Sequence, residues 1–480
     1  MDSSQLKNFL KHYYGYSDFK RGQSEIIENL LEGKSTLGIL PTGTGKSLCY
    51  QLTGKILKKT VIVISPLLSL MHDQIEQLKY AGEKKVIALT SELSFVDKQM
   101  ILANISDYSF IYLSPEMLKN DLVEKKLAML SIGLLVVDEA HCISQWGPDF
   151  RPDYLRIKKF RHLLHNPLTL ALTATATNNV AQDIQHNLFS NDEKKFVVRR
   201  SVDRPNIFLG VHETISNYEK NTYLIDIVKK LKSPGIIYFS SKKQANKISE
   251  LLKAETSLRI APYHAALSSR DRYMTQHQFM ENQLDIICAT SAFGMGINKK
   301  DVRFVIHYHL PSDLESYVQE IGRAGRNGER SLAILLYTKA DINLQEQLSI
   351  NSLPDDFDIE NFQPKGTVAN VSDKENVLQY YFEQGIPTSE IKQIFLKRRQ
   401  EKYNKLMYLL EYIETPSCKR KFLLQYFDEE MQTKHGVDCC QLKGEPINID
   451  YFKCEKEKKE QIINQVSDYE DILDIFFKTL

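Results

Sequence analysis

Short apolar runs, each bounded by polar or turn residues, recur through the first two-thirds of the chain. The runs that are typical of buried strands are 61–64, 134–137, 168–172, 235–239, 285–288, 304–307 and 332–336. Longer amphipathic stretches, typical of helices, separate them. This alternation predicts α/β layers with parallel sheets. Ligands on such sheets bind beyond the carboxyl ends of the strands, so the residues after each run are site candidates.

Two changes in the pattern predict boundaries between domains. A polar segment containing Pro205 interrupts the alternation at 201–206, and strands fade after about Tyr337. We therefore expect two α/β domains at 1–203 and 204–340, a helical region at 341–455, and a short tail at 456–480. The charged stretch 397–402 in the helical region is interpreted as a solvated helix face, with nucleic-acid contact as the alternative.

Composition narrows the class of protein. The chain has 480 residues, of which 26% are charged, yet its formal net charge is only +1, so any surface for nucleic acid has to be local. We find no apolar run of membrane-spanning length and no secretory signal at the N-terminus. Seven unevenly spread cysteines argue against a secreted disulfide framework. These features predict a cytoplasmic protein without membrane contact, associated with the nucleoid if the source is bacterial.

A glycine-rich segment after residue 38 predicts a phosphate loop. Two glycines let main-chain N–H groups approach phosphate oxygens, a lysine neutralises them, and a serine hydroxyl can ligate Mg²⁺. The strict pattern has a further glycine where Leu40 stands, and the alternative interpretation is a simple turn between strand and helix. The residues predicted to bind ATP are Thr42, Gly43, Thr44, Gly45, Lys46 and Ser47.

Two further segments carry charges that suit phosphoryl transfer. Asp138 and Glu139 follow the run 134–137; the first could hold Mg²⁺ and the second could orient or deprotonate water. Arg323 and Arg326, three residues apart on a predicted helix, could stabilise the transferring phosphoryl group. They lie in the second α/β half, so we expect the site to be complete only when the halves close.

These motifs together resemble those of RecQ-family helicases of superfamily 2. The segments that carry the resemblance are 15–23, 41–51, 65–74, 138–147, 172–177, 289–297 and 319–326. The extension Cys142–Gly147 is specific to that family, whereas the other motifs are shared more widely. The resemblance implies two RecA-like domains with ATP between them, DNA across their top, and unwinding in the 3′ to 5′ direction. It also implies a short form without full winged-helix and HRDC accessory domains.

The resemblance also implies roles for individual residues. Adenine would be bound by Tyr16, Gln23 and Lys20. Lys20 stands where the family usually has arginine. Gln319 joins the two arginines in the catalytic set. The aromatic-rich loop that couples DNA contact to hydrolysis would include Gln145, Trp146, Phe150 and Arg151, with Pro148 where many members have histidine. The alternative for Trp146 is a core residue. Ser65, Thr173 and Thr290 are candidate strand-contact hydroxyls, or alternatively helix caps.

In the family a helical subdomain after the motor holds Zn²⁺ with four cysteines. Here only the first cysteine segment follows the pattern well. A tetrahedral set could combine Cys418, His435, one of Cys439 and Cys440, and Cys454, with Asp438 as another candidate. Adjacent residues rarely both ligate one ion, so the alternative is a subdomain that folds by packing alone.

The leading hypothesis is a monomeric ATP-dependent DNA helicase of repair or recombination. It would need ATP and Mg²⁺, act on single-stranded DNA and on single-strand/duplex junctions, and have a single-stranded-DNA-binding protein as a candidate partner. One alternative is an RNA helicase or remodeller on the same motor. Another is a nucleotide-switched DNA-binding scaffold, although the intact Lys46, Asp138, Glu139 and Arg326 argue against it.

Overall fold

The first parallel sheet has seven strands and fills the N-terminal part of the chain. A computed structural model describes residues 3–90, 92–145, 147, 149, 151–190, 193–294, 299–364, 372–432 and 434–453. The strands are β1 (Ser35–Ile39), β2 (Thr60–Ile64), β3 (Val86–Leu89), β4 (Phe110–Leu113), β5 (Ile132–Val137), β6 (Thr169–Thr173) and β7 (Lys195–Arg199). Their order across the sheet is β3-β4-β2-β5-β6-β1-β7, and all pairs are parallel.

The second parallel sheet has six strands. They are β8 (Ile207–Glu213), β9 (Gly235–Tyr238), β10 (Ile260–Tyr263), β11 (Ile286–Ala289), β12 (Phe304–His307) and β13 (Ser331–Tyr337). Their order is β10-β11-β9-β12-β13-β8, again with parallel pairs. The first sheet ends at Arg199 and the second begins at Ile207, on either side of the polar segment 201–206.

Helices cover both faces of each sheet. Those of the first α/β part are α1 (Ser3–Tyr14), α2 (Gln23–Leu31), α3 (Ser47–Leu57), α4 (Leu68–Tyr80), α5 (Phe95–Ala103), α6 (Asp121–Ala128), α7 (Cys142–Gln145), α8 (Ile157–Leu163) and α9 (Asn178–Leu188). Those of the second are α10 (Asn217–Lys230), α11 (Lys242–Glu255), α12 (Ser269–Met280) and α13 (Leu314–Ile321). Successive β2 residues alternate between two cores: Ile62 belongs to one and Val61 to the other. A sheet buried on both faces explains the continuous apolar runs.

Beyond β13 the chain is helical. The helices are α14 (Ala340–Gln345), α15 (Asp356–Glu360), α16 (Asp373–Glu383), α17 (Thr388–Glu414) and α18 (Lys419–Tyr426). Leu406, Leu409 and Tyr412 of α17 belong to the same core as one face of the second sheet. The predicted fold class, two parallel α/β domains followed by a helical region, is confirmed. Within the described ranges, no helix combines the length and apolar character needed to cross a bilayer.

Candidate functional site

The phosphate loop joins the end of β1 to the start of α3. Gly43 and Gly45 have φ angles of 83° and 72°. This left-handed region favours glycine, because a Cβ would be strained there. Lys46 directly precedes α3, which begins at Ser47. The first N–H groups of a helix have no acceptor within it, so the loop gathers main-chain donors, an ammonium and a hydroxyl at one helix end.

The acidic pair follows β5 at the same edge of the sheet. The Asp138 carboxylate accepts a hydrogen bond of 3.0 Å from the N–H of Glu139. Glu139 is buried and has a φ of 49°, an uncommon value for a residue with a side chain, which marks a locally constrained turn. Burial and the neighbouring Glu139 charge raise the pKa of Asp138 to about 7, while Lys46 opposes the rise. A divalent cation here would relieve the repulsion between the two carboxylates.

A buried series of polar contacts leads from the acidic pair to the end of β6. Glu139 Oε2 lies 3.4 Å from His141 Nδ1, which lies 3.0 Å from the Thr173 hydroxyl. That hydroxyl donates to the carbonyl of Thr175 at 3.0 Å. The Thr173 hydroxyl is therefore buried and engaged within the domain, and its contact with a nucleic-acid strand stays a prediction. His141, which the sequence argument did not assign, instead connects the acidic pair to this strand end.

The arginine motif of the second sheet packs directly on the phosphate loop of the first. Thr42 Oγ1 donates to the carbonyl of Gly322 at 3.0 Å. A Cβ added at Gly322 would lie 2.1 Å from that Oγ1, so only glycine fits this approach. A Cβ added at Gly43 would lie 3.1 Å from Cγ of Arg326, which places that side chain over the loop. The two halves therefore meet at the predicted phosphate site.

The arginines occupy a different local structure from the one predicted. Helix α13 ends at Ile321, so Arg323 and Arg326 lie in the turns that follow it and not on the helix. Arg323 is buried at 4% exposure. Gln319 lies in the last turn of α13 and is half-buried. Among the described residues, none forms a hydrogen bond with its side chain, so its catalytic role stays a prediction.

Positive charges crowd around the phosphate loop. Burial, then Arg323 and Arg204, lower the pKa of Arg326 to about 9. Burial, then Lys300, Arg326 and Arg204, lower the pKa of Lys20. Both shifts mean that burial and neighbouring positive charges disfavour the charged forms in this arrangement. A polyanion such as a triphosphate would offset that repulsion.

The residues predicted for adenine are divided between two positions. Tyr16 is 58% exposed, so its ring is accessible for stacking on a base. Lys20 Nζ instead donates to the carbonyl of Gly43 at 2.8 Å. Gln23 Nε2 donates to the carbonyls of Thr44 and Gly45 at 2.8 and 2.9 Å. In this structure both side chains therefore brace the phosphate loop, and their contact with adenine stays a prediction.

Parts of the predicted coupling loop lie outside the described residues, namely Trp146, Pro148 and Phe150. Gln145 ends the short helix α7. Arg151 Nε donates to Glu116 Oε1 at 2.9 Å, and its Nη1 donates to the carbonyl of Pro66 at 2.6 Å. A nucleic-acid phosphate would have to replace Glu116 to bind this guanidinium, so DNA contact by Arg151 stays a prediction.

Helix α17 of the helical region contacts the predicted coupling loop. Arg398 Nε and Lys402 Nζ contact the Asp149 carboxylate at 2.7 and 3.0 Å. Arg398 Nη2 also donates to the carbonyls of Ser144 and Gln145, both at 3.3 Å. The interpretation of 397–402 as a solvated face is therefore wrong for Arg398 and Lys402. Their spacing of four residues places both on one face of the helix.

The remaining predicted strand-contact hydroxyls differ in accessibility. Ser65 is 1% exposed, so its hydroxyl is buried in this structure and its contact with a strand stays a prediction. Thr290 follows β11 and is half-buried. It lines a cavity of about 1120 Å³ where both sheets and the helical region meet, together with Ser144, Asp313 and Arg398. The phosphate-loop residues do not line this cavity, so Thr290 and the nucleotide site lie on different sides of the interface.

A cluster of soft ligands lies in the helical region. Its members are Cys418, His435, Cys439 and Cys440, whose ligand atoms all lie within 4.8 Å of one another. Cys418 Sγ is 3.6 Å from Cys439 Sγ and 3.5 Å from Cys440 Sγ, and Cys440 Sγ is 3.6 Å from His435 Nδ1. Both adjacent cysteines join the cluster, contrary to expectation. Cys454 lies outside the described residues.

The cluster matches what Zn²⁺ requires. A tetrahedron with Zn–S bonds of about 2.3 Å has S···S edges of about 3.8 Å, close to the observed separations. The Cys440 thiol and the Arg420 guanidinium lower the pKa of Cys439 to about 4, against an opposing effect of burial. The Cys439 contact and burial in turn raise the pKa of Cys440, so the pair favours one thiolate ligand. The Asp438 carboxylate instead accepts hydrogen bonds of 2.8 and 2.6 Å from Arg330. Asp438 is therefore not part of the ligand cluster.

Family comparisons agree with this architecture. The DEAD/DEAH box helicase family matches residues 20–184, the helicase conserved C-terminal domain matches residues 219–328, and the RecQ zinc-binding family matches residues 377–442. Among solved structures, a DUF1998 helicase MrfA bound to DNA has a TM-score of 0.59 at 19% identity, over 71% of this chain and 52% of that one. The DEAD-box helicase Mss116 bound to single-stranded RNA has a TM-score of 0.60 at 16% identity, over 85% and 90%. These likenesses show the fold.

Curated relatives show the family. The chain is 42% identical over 475 residues to a Bacillus subtilis protein named "Probable ATP-dependent DNA helicase RecS", covering 95% of each chain. It is 35% identical to the B. subtilis ATP-dependent DNA helicase RecQ, over 89% of this chain and 65% of that protein. The match spans both sheets and the cysteine cluster. The chain therefore belongs to the RecQ family of helicases.

Proposed function

We propose that the chain is an ATP-dependent DNA helicase that moves 3′ to 5′ along single-stranded DNA and unwinds the duplex ahead. The observation that carries the proposal is the packing of the arginine motif on the phosphate loop, through Thr42, Gly322 and Arg326. A nucleotide held between two α/β domains can convert binding and release into relative domain motion. Relatives named as DNA helicases support DNA as the track.

In the proposed chemistry each group has one role. Main-chain donors of the phosphate loop and Lys46 bind the outer phosphates, and Glu139 orients or deprotonates the attacking water. Arg326, with Arg323 beside it, stabilises charge that spreads over the transferring phosphoryl group, an effect worth roughly 10³–10⁵ in rate. Gln319 belongs to the same proposed set. Ser47 and Asp138 would hold Mg²⁺, which neutralises phosphate charge when bound.

The observed hydrogen bonds suggest how nucleotide arrival is sensed. Lys20 and Gln23 hold carbonyls of the phosphate loop, while Tyr16 remains exposed beside them. A base stacked on Tyr16 would approach the amide of Gln23, and phosphates would compete for Lys20. We infer that adenine and phosphate recognition are linked through these two side chains, with lysine offering less geometric selectivity than the family's arginine.

Coupling to DNA is proposed to run through the segment after the acidic pair. Helix α7 begins directly after His141 and ends at Gln145. Arg151 donates to the carbonyl of Pro66. Trp146 and Phe150 would stack on bases, worth roughly 1–3 kcal/mol per base. A strand contact there would shift the chain next to Glu139. Thr290, at the end of β11, is the proposed contact from the second sheet.

Zinc is proposed as a structural ion of the helical region. Cys418, His435, Cys439 and Cys440 would hold it, and no open coordination position is then left for catalysis. The ion would fix the end of α17, the start of α18 and the segment that pairs with β8 at Leu209. Metal analysis with a chelator control tests this, and purified protein without bound zinc would refute it.

The ATP site is tested by Lys46→Ala, with the exposed Lys84→Ala as the matched control. Lys46→Ala should abolish hydrolysis and leave binding of single-stranded DNA intact when nucleotide is absent, since the lysine contacts phosphates and not DNA. Lys84→Ala should hydrolyse ATP like the wild type. Normal turnover in Lys46→Ala would refute the site.

The choice between DNA and RNA is tested by stimulation of the ATPase. Matched single-stranded DNA and RNA oligonucleotides of equal length and sequence should differ, with DNA stimulating more strongly. Equal stimulation by RNA would favour the alternative of an RNA helicase or remodeller. Binding without any stimulated turnover would favour a nucleotide-switched scaffold.

Within the cell we propose a monomeric enzyme of DNA repair or recombination. Single-stranded DNA and single-strand/duplex junctions are the proposed substrates, and a single-stranded-DNA-binding protein is a proposed partner. The cytoplasm, and the nucleoid in a bacterium, is the proposed location. With a net charge of +1, phosphate contacts should be local and salt-sensitive.

A further inference from the structure

The segment between the two sheets carries an arginine whose side chain reaches both halves of the nucleotide site. We infer that Arg204 is a positioning residue for ATP hydrolysis, which fixes the arginine motif against the phosphate loop. The inference rests on the proposed function, since it assigns a role within that hydrolytic site. Neither the motif spacing nor the charge pattern pointed to this residue; its only signal is an arginine before the proline of the linker.

Among the described residues, the hydrogen bonds of the Arg204 side chain all go to main-chain carbonyls. Nη1 donates to Gly322 at 2.9 Å and lies 3.5 Å from the carbonyl of Thr42 in the phosphate loop. Nη2 donates to Ala324 at 2.9 Å and to Gly325 at 2.8 Å. One planar guanidinium therefore holds three carbonyls of the turn that carries Arg323 and Arg326, and borders the loop on which that turn packs.

Charge attraction does not explain the position of Arg204. Burial lowers its pKa, with Asp203 opposing, and it contributes to the lowered pKa values of Arg326 and Lys20. A cation placed among like charges must be kept there by its hydrogen bonds and by its backbone. The cost of this placement is consistent with a geometric task at the site.

The backbone of the linker is itself held from the helical region. Arg420, 4% exposed, donates to Asp203 Oδ1 at 2.5 Å, to the carbonyl of Arg204 at 3.0 Å and to that of Ile207 at 2.5 Å. Pro205 restricts the backbone between them. Asn206 Nδ2 donates to the carbonyls of Gly325 and Glu329. Arg204 thus projects from a fixed segment, and its reach sets the position of the arginine turn.

Loss of this side chain would remove the donor that the Ala324 carbonyl has among the described residues. Gly322 would keep only Thr42 Oγ1, and Gly325 would keep Asn206 Nδ2 and the N–H of Gly328, so the turn would be held less firmly and could shift. A displacement of about 1 Å can reduce a catalytic rate by about 10²-fold. Arg204→Lys keeps the charge but has one ammonium in place of a planar fork, so it cannot hold the same carbonyls at once. Both variants should therefore slow hydrolysis, and by less than removal of Arg326 itself.

The test is a double-mutant cycle in steady-state ATP hydrolysis with saturating single-stranded DNA. Arg326→Ala should lower kcat by about 10³-fold or more. Arg204→Ala and Arg204→Lys should lower kcat by about 10–100-fold with KM for ATP changed less than about 3-fold. When Arg326 is already alanine, adding Arg204→Ala should lower kcat by less than about 2-fold more, because Arg204 acts through Arg326.

Controls separate the possible outcomes. Arg259→Ala, an exposed arginine paired with Asp285 on the second sheet, should have wild-type kcat. Thermal unfolding should show Arg204→Lys folded, so that its kinetics report on the site. If Arg326→Ala turns over normally, the proposed site is wrong and this inference falls with it. If Arg326→Ala loses kcat as expected, two results would overturn this inference and leave the proposed site intact. One is wild-type kcat in Arg204→Lys, and the other is a double variant whose loss of kcat equals the product of the two single losses.

Discussion

Replacing Asp138 by asparagine should stabilise the nucleotide-free protein at alkaline pH. The structure raises the pKa of Asp138 from 3.8 to about 7, through burial and the adjacent Glu139. Between those two pH values the folded state binds a proton that the unfolded state has released. Stability therefore falls as pH rises from about 4 to about 7, and the full penalty applies above 7.

The size of this effect follows from the pKa difference. Each pKa unit corresponds to about 1.4 kcal/mol, so the penalty at pH 8 is at most about 4 kcal/mol. Asp138 is half-buried, and solvent reduces this figure. One kcal/mol shifts the Tm of a domain of this size by about 2–4 °C. We expect Asp138→Asn to unfold several degrees higher than wild type at pH 8 and at the same temperature at pH 4.

The assay is thermal unfolding of nucleotide-free protein at pH 4, 6 and 8, followed by the same scan with Mg²⁺ and ATP. The exposed Asp107→Asn is the matched control and should track the wild type throughout. With Mg²⁺ and ATP the order should reverse, because only the wild-type carboxylate gains the cation. A Tm difference between Asp138→Asn and wild type that does not change with pH would refute the reasoning.

Three further predictions concern packing, metal and domain closure. Arg398→Ala should lower the free energy of unfolding by about 1–3 kcal/mol in urea titrations, because the 5%-exposed Asp149 side chain keeps only Lys402; no loss would contradict the role of α17. Cys440→Ala should reduce zinc below one ion per chain by metal analysis, whereas full occupancy would remove it from the ligand set. Gly322→Ala should slow ATP hydrolysis by about 10-fold or more while DNA binding is kept, since its Cβ would lie 2.1 Å from Thr42 Oγ1; wild-type kcat would contradict the observed closure.

The strands that the sequence predicted are all interior to the sheets, although two interior strands, β1 and β4, were also not predicted. The seven apolar runs correspond to β2, β5, β6, β9, β11, β12 and β13, all interior to a sheet. All four sheet-edge strands, β3, β7, β8 and β10, were not predicted. An edge strand is covered less completely and needs no continuous apolar run: β7 begins with three exposed residues, and β10 contains Pro262.

The candidate site was predictable as far as it depends on local motifs. Glycine φ angles and helix starts follow from neighbouring residues, so the phosphate loop and the acidic pair could be located from the sequence. Contacts across hundreds of residues could not, such as Thr42 with Gly322 or Arg204 with Ala324. The same holds for Thr173, since whether a hydroxyl at a strand end is buried depends on what packs above it.

Local rules also failed where three-dimensional context decides. Charged residues at 397–402 are typical of a solvated face, but Asp149 of another domain covers Arg398 and Lys402. Adjacent cysteines rarely share one ion, yet both Cys439 and Cys440 turn toward Cys418. In each case the deciding partner is distant in sequence.

The central claim, ATP-driven movement along DNA in one direction, is tested most directly with tailed duplexes. Two labelled DNA duplexes of identical paired sequence should carry a single-stranded tail at either the 3′ or the 5′ end. ATP and Mg²⁺ should drive strand separation of the 3′-tailed duplex only, and Lys46→Ala should separate neither duplex. Separation of the 5′-tailed duplex alone, or of both duplexes without ATP, would contradict it.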